Sequence, residues 1–126
     1  MKKNMLSRVL TLALAALLAL SLFACGKKSD DNSTGTASYK VGICSYADDA
    51  SLNQIVDSIE SRLKAIGQEK GVTFEISYDN CNTDSAVLNQ IIANFMADKV
   101  DLMIGVATPV AVAMQAATEG TDIPVV

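Results

Sequence analysis

From residue 39 onward, the sequence predicts an α/β fold built on a doubly wound parallel sheet. Two hydrophobic periods alternate along this part of the chain, one typical of strands and one typical of helices. Short apolar runs are followed by longer segments whose apolar residues recur every three or four positions, which predicts the order βαβαβαβ. Strands that alternate with helices pair in parallel, and right-handed crossovers place the helices on both faces of the sheet.

The first two strands and the helix between them have clear patterns. A short apolar run over 39–44 predicts the first strand. A helical stripe follows, made of Leu52, Ile55, Val56, Ile59, Leu63 and Ile66. Gly67 and Gly71 bracket the exit of this helix. Apolar and polar residues then alternate over 72–79, which predicts a strand with one polar face.

The second half of the chain repeats this alternation. A second helical stripe, which Thr83 or Asp84 can cap, contains Val87, Leu88, Ile91, Ile92, Phe95 and Met96. Residues 101–106 are nearly all apolar, as expected for a strand covered on both faces. Thr108 and Pro109 open a third helix, with Thr108 as the cap and Pro109 at the first helical position. This helix is apolar nearly all round, so we expect it to be largely buried.

The last residues, 123–126, begin a fourth strand, and the sequence stops there. If the domain ended at this strand, the sheet would have an unpaired apolar edge, and such edges promote aggregation. We therefore expect the sequence to be the N-terminal part of a longer chain.

The first 24 residues have the organisation of a secretory signal peptide. Lys2, Lys3 and Arg8 form a basic start, and an uncharged stretch rich in Leu and Ala runs over 9–24. The alternative is an uncleaved transmembrane helix. Sixteen uncharged residues, at about 1.5 Å each, are too short for a hydrocarbon core of about 30 Å. We therefore expect residues 1–24 to be removed on export.

Residues 22–26 read Leu-Phe-Ala-Cys-Gly and resemble the lipobox of bacterial lipoproteins. The resemblance implies that Cys25 accepts a diacylglyceryl group and becomes the mature N-terminus. An ordinary signal peptide with an incidental cysteine is the alternative. Two acyl chains anchor a protein stably, at about 0.8 kcal/mol per buried methylene. The rest of segment 25–38 has no large apolar side chain and is rich in Gly, Ser, Thr and Asp, so it predicts a flexible tether.

Charge and composition exclude several classes of function. Without Lys2, Lys3 and Arg8, seven basic residues remain against fourteen acidic ones. This balance argues against nucleic acid as a partner and against a basic membrane-binding surface. The chain has no histidine, the usual general base and metal ligand, and no Gly-x-Ser-x-Gly or P-loop motif. We expect a binding protein without metal or cofactor rather than an enzyme.

Open parallel sheets bind ligands outside the carboxyl ends of their strands, which selects the three loops there. A helix that begins at Thr108 presents N–H groups and a partial positive charge to an anion such as a carboxylate, and the Thr108 hydroxyl can donate as well. Capping alone is the alternative role of Thr108. Asn80 and Asn82 can bind polar ligand groups or form a turn. Tyr46 can stack on a ligand or cover the sheet edge.

Two cysteines, Cys44 and Cys81, end the first and second strands, which are neighbours in this winding. A disulfide between them is one interpretation, since exported proteins meet an oxidising environment. Two small buried thiols are the other, and we favour it because cysteine is often buried as a small hydrophobic residue.

Three features together resemble the ABC-transporter substrate-binding lipoproteins related to tryptophan- and tyrosine-binding proteins. They are the lipobox with its tether, Tyr-Lys-Val-Gly-Ile-Cys as first strand, and Val-Asp-Leu-Met-Ile-Gly-Val-Ala-Thr-Pro before an alanine-rich helix. The likeness covers residues 39–126 and implies the incomplete first lobe of a type 1 periplasmic-binding fold, which closes on its solute and docks on a permease. It also implies ligand contacts from Ser45, Tyr46, Asn80, Asn82, Ala107 and Thr108.

The resemblance predicts a receptor, lipid-anchored on the extracytoplasmic face of the cell membrane, that captures a small solute for an ABC importer. The resemblance and the anion-binding helix start at Thr108 favour an amino acid as the solute, and an aromatic amino acid in particular. A sugar or nucleoside is the alternative within this class. A ligand-sensing domain for a membrane signalling partner is the alternative from another class. The family's acidic-His-Pro stretch after the first strand is replaced here by Tyr-Ala-Asp-Asp-Ala-Ser.

Overall fold

The computed structural model describes residues 35–126. The predicted signal peptide, the predicted lipidation at Cys25 and the predicted tether up to residue 34 lie outside the described residues. The elements follow one another as β1 (Ser38–Ser45), α1 (Ala50–Lys70), β2 (Thr73–Asn80), α2 (Ser85–Ala97), β3 (Leu102–Val106) and α3 (Thr108–Ala117). The predicted alternation of strands and helices is confirmed, and β1 begins one residue earlier than its apolar run.

β1 is the central strand of a parallel sheet with the order β2-β1-β3. It pairs with β2 along its whole length, from Ser38 opposite Thr73 to Ser45 opposite Asn80. β3 pairs with the second half of β1 and ends with Val106 opposite Ser45. The carboxyl ends of all three strands therefore meet at one edge of the sheet, with β1 in the middle. We refer to this edge as the carboxyl edge.

The predicted fourth strand is present as a short parallel bridge on the free side of β3. The Met103 N–H donates to the Pro124 carbonyl and the Val126 N–H donates to the Met103 carbonyl, both over 3.0 Å. Met103 and Val125 are the bridge partners. The described chain thus extends the sheet beyond β3 in the direction that the βα alternation predicts.

Helices cover both faces of this sheet, because successive residues of β1 point to opposite sides. Val41 and Ile43 pack with Val56 of α1 on one face. On the other face, Cys44 packs with residues of α2 and α3, and Gly42 lies under the ring of Phe95. This arrangement confirms the doubly wound prediction. Within residues 35–126, no helix has the length and apolar character needed to cross a membrane.

The ends of α1 and α2 follow from local sequence. The Asp49 carboxylate caps α1 by accepting from the Ser51 N–H over 2.9 Å. α1 ends at Lys70, between the two predicted glycines, and Gly71 adopts a left-handed conformation with φ 67° that glycine accepts without strain. At α2, the Asp84 carboxylate accepts from the backbone N–H groups of the first turn, at 2.7 and 3.1 Å, so Asp84 rather than Thr83 is the cap.

The start of α3 differs from the prediction. Ala107, not Thr108, is the N-cap residue, and no side chain caps the helix. The Ala107 carbonyl accepts from the N–H groups of Val110 and Ala111, at 3.1 and 3.2 Å, so the helical hydrogen bonding begins one residue earlier than expected. Pro109 consequently follows Thr108 inside the first turn, where its missing N–H is not needed.

The burial of α3 is also lower than predicted. Only Val110 and Met114 are buried among the residues of this helix, and Val112 is 59% exposed. Among the described elements, α3 packs on β3 and α2, which cover one side of the helix. The all-round apolar pattern therefore overestimates how much of α3 the described chain buries.

Candidate ligand site

Three loops leave the carboxyl edge, and main-chain hydrogen bonds join them through the loop between β1 and α1. The Tyr46 N–H donates to the Val106 carbonyl over 3.2 Å, which connects this loop to the end of β3. The Tyr46 carbonyl accepts from the Thr83 N–H over 2.7 Å, and the Cys81 N–H donates to the Ser45 carbonyl over 3.0 Å. Because both neighbouring loops bind the same short segment, the three loops form one connected surface.

Ser45 and Tyr46 hold different positions in the first loop. The Ser45 side chain is fully buried, and its hydroxyl donates to the Ala47 carbonyl over 3.2 Å. In this conformation the Ser45 hydroxyl therefore shapes the loop and does not face solvent. Tyr46 is half-buried and packs on the apolar cluster under α2. This position covers the end of the sheet and leaves part of the residue accessible.

Asn80 and Asn82 form the turn after β2. The Asn80 side-chain oxygen accepts from the Asn82 N–H over 2.7 Å, which is the turn-forming role considered for this pair. Asn82 and Thr83 have φ values of 49° and 63°, so two consecutive non-glycine residues are left-handed. The Asn82 side chain is exposed at the carboxyl edge. The turn therefore presents one asparagine amide outward and uses the other to hold its own backbone.

The first turn of α3 offers a small set of hydrogen-bond donors. Pro109 has no N–H, and the Val110 N–H is bound to the Ala107 carbonyl. Thr108, which is exposed, retains a backbone N–H and a hydroxyl for which residues 35–126 show no hydrogen-bond acceptor. Both groups lie at the positive end of the helix. The donors available to an anion are therefore concentrated on Thr108.

Ala107 is the most unusual backbone position in these loops. Its φ of 94° and ψ of 148° lie in a region that is essentially restricted to glycine. The helical bonds to its carbonyl and the link from Tyr46 to Val106 hold the strand-to-helix connection on either side of it. No sequence pattern signals this conformation, because alanine gives no indication of a left-handed φ.

Ala107→Gly is expected to raise the free energy of unfolding by about 1 kcal/mol. Backbone strain of this kind costs about 1–3 kcal/mol, and the greater freedom of glycine in the unfolded chain offsets about 0.5–1 kcal/mol of the gain. Urea denaturation of the full-length protein measures the change. Ala113→Gly, inside α3, is the matched control and should lower stability by about 1 kcal/mol. Destabilisation by both substitutions would contradict the strain at Ala107.

Charge is unevenly distributed between the two edges of the sheet. Asp48 and Asp49 follow β1, and Asp79 and Asp84 lie at the end of β2 and after it. The basic residues of the described chain lie instead at the start of β1, in the second half of α1 and after α2: Lys40, Arg62, Lys64, Lys70 and Lys99. The carboxyl edge is therefore negative and favours ligands with a positive group.

Local hydrogen bonds occupy part of this carboxylate set. Bonds from the Ser51 hydroxyl and backbone to Asp49 hold the pKa of its carboxyl below the usual range, so Asp49 stays ionised at neutral pH. Asp84 is occupied by its cap contacts. The Asp48 carboxylate accepts from the Asn53 amide over 2.8 Å. Since each carboxylate oxygen can accept more than one hydrogen bond, Asp48 keeps capacity for a ligand.

Cys44 and Cys81 are free and fully buried, which agrees with the favoured prediction of two small buried thiols. Both belong to the apolar cluster under α2. Burial, followed by the neighbouring Cys81 thiol, raises the pKa of Cys44 to about 12. The Cys44 thiol is therefore protonated at neutral pH.

A parallel α/β unit whose polar loops meet at the carboxyl edge is an architecture that binds small ligands. The family model for ABC transporter substrate binding proteins matches residues 40–126, and the chain belongs to this family. The predicted resemblance to ABC-transporter substrate-binding proteins is therefore confirmed, and the family is one of binding proteins, as expected in place of an enzyme.

The chain is also similar to a tyrosine-binding protein of Clostridioides difficile (strain R20291). The two are 25% identical over 127 residues, which cover 94% of this chain and 36% of the relative. The chain thus spans about a third of the length of this curated relative. No solved structure matches the chain.

Proposed function

We propose that this protein is an extracytoplasmic solute-binding lipoprotein that captures an amino acid for an ABC importer. The observation that carries the proposal is the family match over residues 40–126, which includes all three loops of the carboxyl edge. The proposal includes an anchor of two acyl chains on Cys25 and a permease of the importer as partner. The ligand is held between this lobe and a further part of the protein.

The charges of the carboxyl edge favour a zwitterion. An α-carboxylate is complementary to the N–H and hydroxyl of Thr108 at the positive end of α3. An α-ammonium group is complementary to the negative carboxyl edge, where Asp48 follows β1 and Asp79 lies at the end of β2. An amino acid carries both groups, whereas a neutral sugar carries neither and a phosphorylated ligand is repelled by the acidic loops.

An aromatic side chain on this amino acid is supported by two observations. Tyr46 is a half-buried aromatic residue in the loop that joins the other two, and in this proposal its ring stacks on the ligand. The relative from Clostridioides difficile is described as a tyrosine-binding protein. In this proposal Tyr46, Asn80, Asn82 and Thr108 contact the ligand, while Ser45 and Ala107 set the shapes of their loops.

Thermal denaturation of the full-length protein with amino acids, sugars and nucleosides tests the proposal. A ligand at about 100 times its dissociation constant stabilises the native state by about 2.7 kcal/mol, which gives a clear rise in Tm. We expect the rise with tyrosine, tryptophan or phenylalanine. A rise with a sugar or nucleoside alone would contradict the amino-acid proposal, and no rise with any of these ligands would favour a sensing role.

Thr108→Val is expected to weaken binding of the amino acid by about 10-fold or more. The substitution removes a donor to a charged group, worth about 1.5–3 kcal/mol, and keeps the shape of the side chain. Isothermal calorimetry measures the dissociation constant. Thr108→Ser, which keeps the hydroxyl, should bind within about threefold of the wild type.

The amide of the same amino acid is the second control, because it lacks the carboxylate. Thr108→Val should weaken binding of this amide much less than binding of the free acid. An equal loss for both ligands would contradict a carboxylate contact at Thr108.

A further inference from the structure

Two buried thiols belong to one apolar cluster and lie where the first two loops of the carboxyl edge begin. Cys44 is the penultimate residue of β1, and Cys81 directly follows β2. The Cys81 N–H is bound to the carbonyl of Ser45, the residue after Cys44. Both cysteines are 0% exposed, and Cys44 is paired across the sheet with Asp79, two residues before Cys81.

The other contacts of these thiols connect them to the first loop. The Cys44 Sγ donates to the Ser45 carbonyl over 3.5 Å, and the Cys81 Sγ donates to the Tyr46 carbonyl over 3.4 Å. Sulfur is a weak donor, so these bonds contribute little to holding the loop. The same Tyr46 carbonyl also accepts from the Thr83 N–H, so it keeps a partner when the thiol proton is lost.

We propose that Cys44 and Cys81 are a reversible dithiol–disulfide pair whose oxidation ties the loop after β1 to the turn after β2. The structure holds the reduced form. The oxidant is a small-molecule or protein disulfide, the class of thiol oxidant that acts on exported proteins. The pair rests on the positions of the two side chains and is independent of which ligand the protein binds.

The oxidation balances as two thiol–disulfide exchanges. The Cys81 thiolate attacks one sulfur of the external disulfide, which breaks that bond, forms a mixed disulfide and releases the first external thiol. Cys44 then loses its proton and attacks the Cys81 sulfur, which releases the second external thiol. Two cysteines are oxidised by two electrons, one external disulfide is reduced, and the two cysteine protons are taken up by the two released thiols.

The turn after β2 supplies a route for the external disulfide to reach Cys81. Asn82 and Thr83 are both left-handed, and this conformation is unfavourable for the β-branched Thr83. Both residues are exposed. Local opening of this turn uncovers Cys81 without separating β1 from β2. Cys44, whose thiol stays protonated because burial raises its pKa to about 12, reacts second.

The test is to equilibrate the native full-length protein with oxidised glutathione and to map its tryptic peptides by mass spectrometry. Residues 41–62 contain Cys44 and residues 71–99 contain Cys81, so the two cysteines fall in separate peptides. We expect one linked peptide, lighter by two hydrogens than the sum of the two, that dithiothreitol separates again. The Tm of the oxidised protein should rise by an amount on the order of 10 °C.

Cys44→Ala and Cys81→Ala are the matched variants. Neither should give the linked peptide, and the Tm of each should be the same in oxidising and reducing buffer. Two separately alkylated peptides from the oxidised wild type would overturn the proposal. A link from either peptide to the one that contains Cys25, or a linked peptide together with a lower Tm, would overturn it as well.

Discussion

Phe95→Ala is expected to lower the free energy of unfolding by about 3–5 kcal/mol, the usual cost of removing a buried aromatic ring. Phe95 is 2% exposed, and its ring lies against the backbone of β1 at Gly42. The loss comes from the transfer of the ring and from the cavity left between α2 and the central strand. Urea denaturation of the full-length protein, followed by circular dichroism, measures it.

Two controls separate this contact from a general loss of aromatic surface. Phe74→Ala, at the half-exposed edge strand, should cost about 1 kcal/mol. Gly42→Ala would place a methyl group within 2.6–2.9 Å of three Phe95 ring atoms, so it should be destabilising in the wild type. In a Phe95→Leu background, the stability loss from Gly42→Ala should be smaller than in the wild type. The difference is the coupling energy of the two residues, about 0.5–3 kcal/mol. Additive effects would contradict the packing of Phe95 on Gly42.

Gly105→Ala is expected to cost about 3 kcal/mol, at the upper end of overpacking effects. A methyl group at Gly105 would lie 2.6 Å from both the Cα and the N of Ala111 in α3. Because these are backbone atoms, no change of rotamer relieves the clash, and α3 must move away from β3. Thermal and urea denaturation measure the loss of stability.

Gly120→Ala is the matched control for Gly105→Ala. Gly120 has a φ of 80°, and a methyl group on its Cα would meet no atom within 4 Å, so only backbone strain of about 1 kcal/mol is expected. Ligand affinity distinguishes the two variants further. Movement of α3 displaces Thr108, so Gly105→Ala should weaken binding of the proposed amino-acid ligand, whereas Gly120→Ala should not. Equal stability losses would contradict the close approach of α3 to β3.

Much of the fold could be predicted from the sequence because its elements follow local rules. The period-two pattern of β2 and the period-three-to-four stripes of the helices report which sides of each element face the core. Asp84 caps α2 through a contact that depends only on residues two and three positions away. The exit of α1 at Gly71 follows from the conformational freedom of glycine.

The cap and the burial of α3 were predicted wrongly because both depend on tertiary packing rather than on local sequence. Thr-Pro predicts a helix capped by threonine, but the strand-to-helix connection turns at Ala107 instead, one residue earlier. α3 also approaches the backbone of β3 closely at Gly105, and no local pattern encodes this approach. An apolar helix pattern predicts burial but does not show which elements cover the helix. Among the described elements, β3 and α2 cover only one side of α3.

The candidate site could be predicted in its location but not in the state of its side chains. The rule for parallel sheets identifies the loops at Tyr46, Asn80 and Thr108 from the order of the elements alone. It could not show that the Ser45 hydroxyl is buried or that Asn80 binds its own turn, since both depend on loop geometry. The ligand contacts of Tyr46, Asn80, Asn82 and Thr108 stay a prediction, and Ser45 and Ala107 are now proposed to shape their loops instead.

The position of β1 at the centre of the sheet has a consequence for how the chain is made. β1 is synthesised before both of its neighbours, and the bond from the Lys40 N–H to the Asp101 carboxylate joins residues 61 positions apart. A nascent chain therefore carries its most buried strand with two open edges until β2 and then β3 have emerged. Open apolar edges promote aggregation, and distant parallel pairing is slow. β1 is thus the strand of the described sheet that waits longest during synthesis for both of its partners.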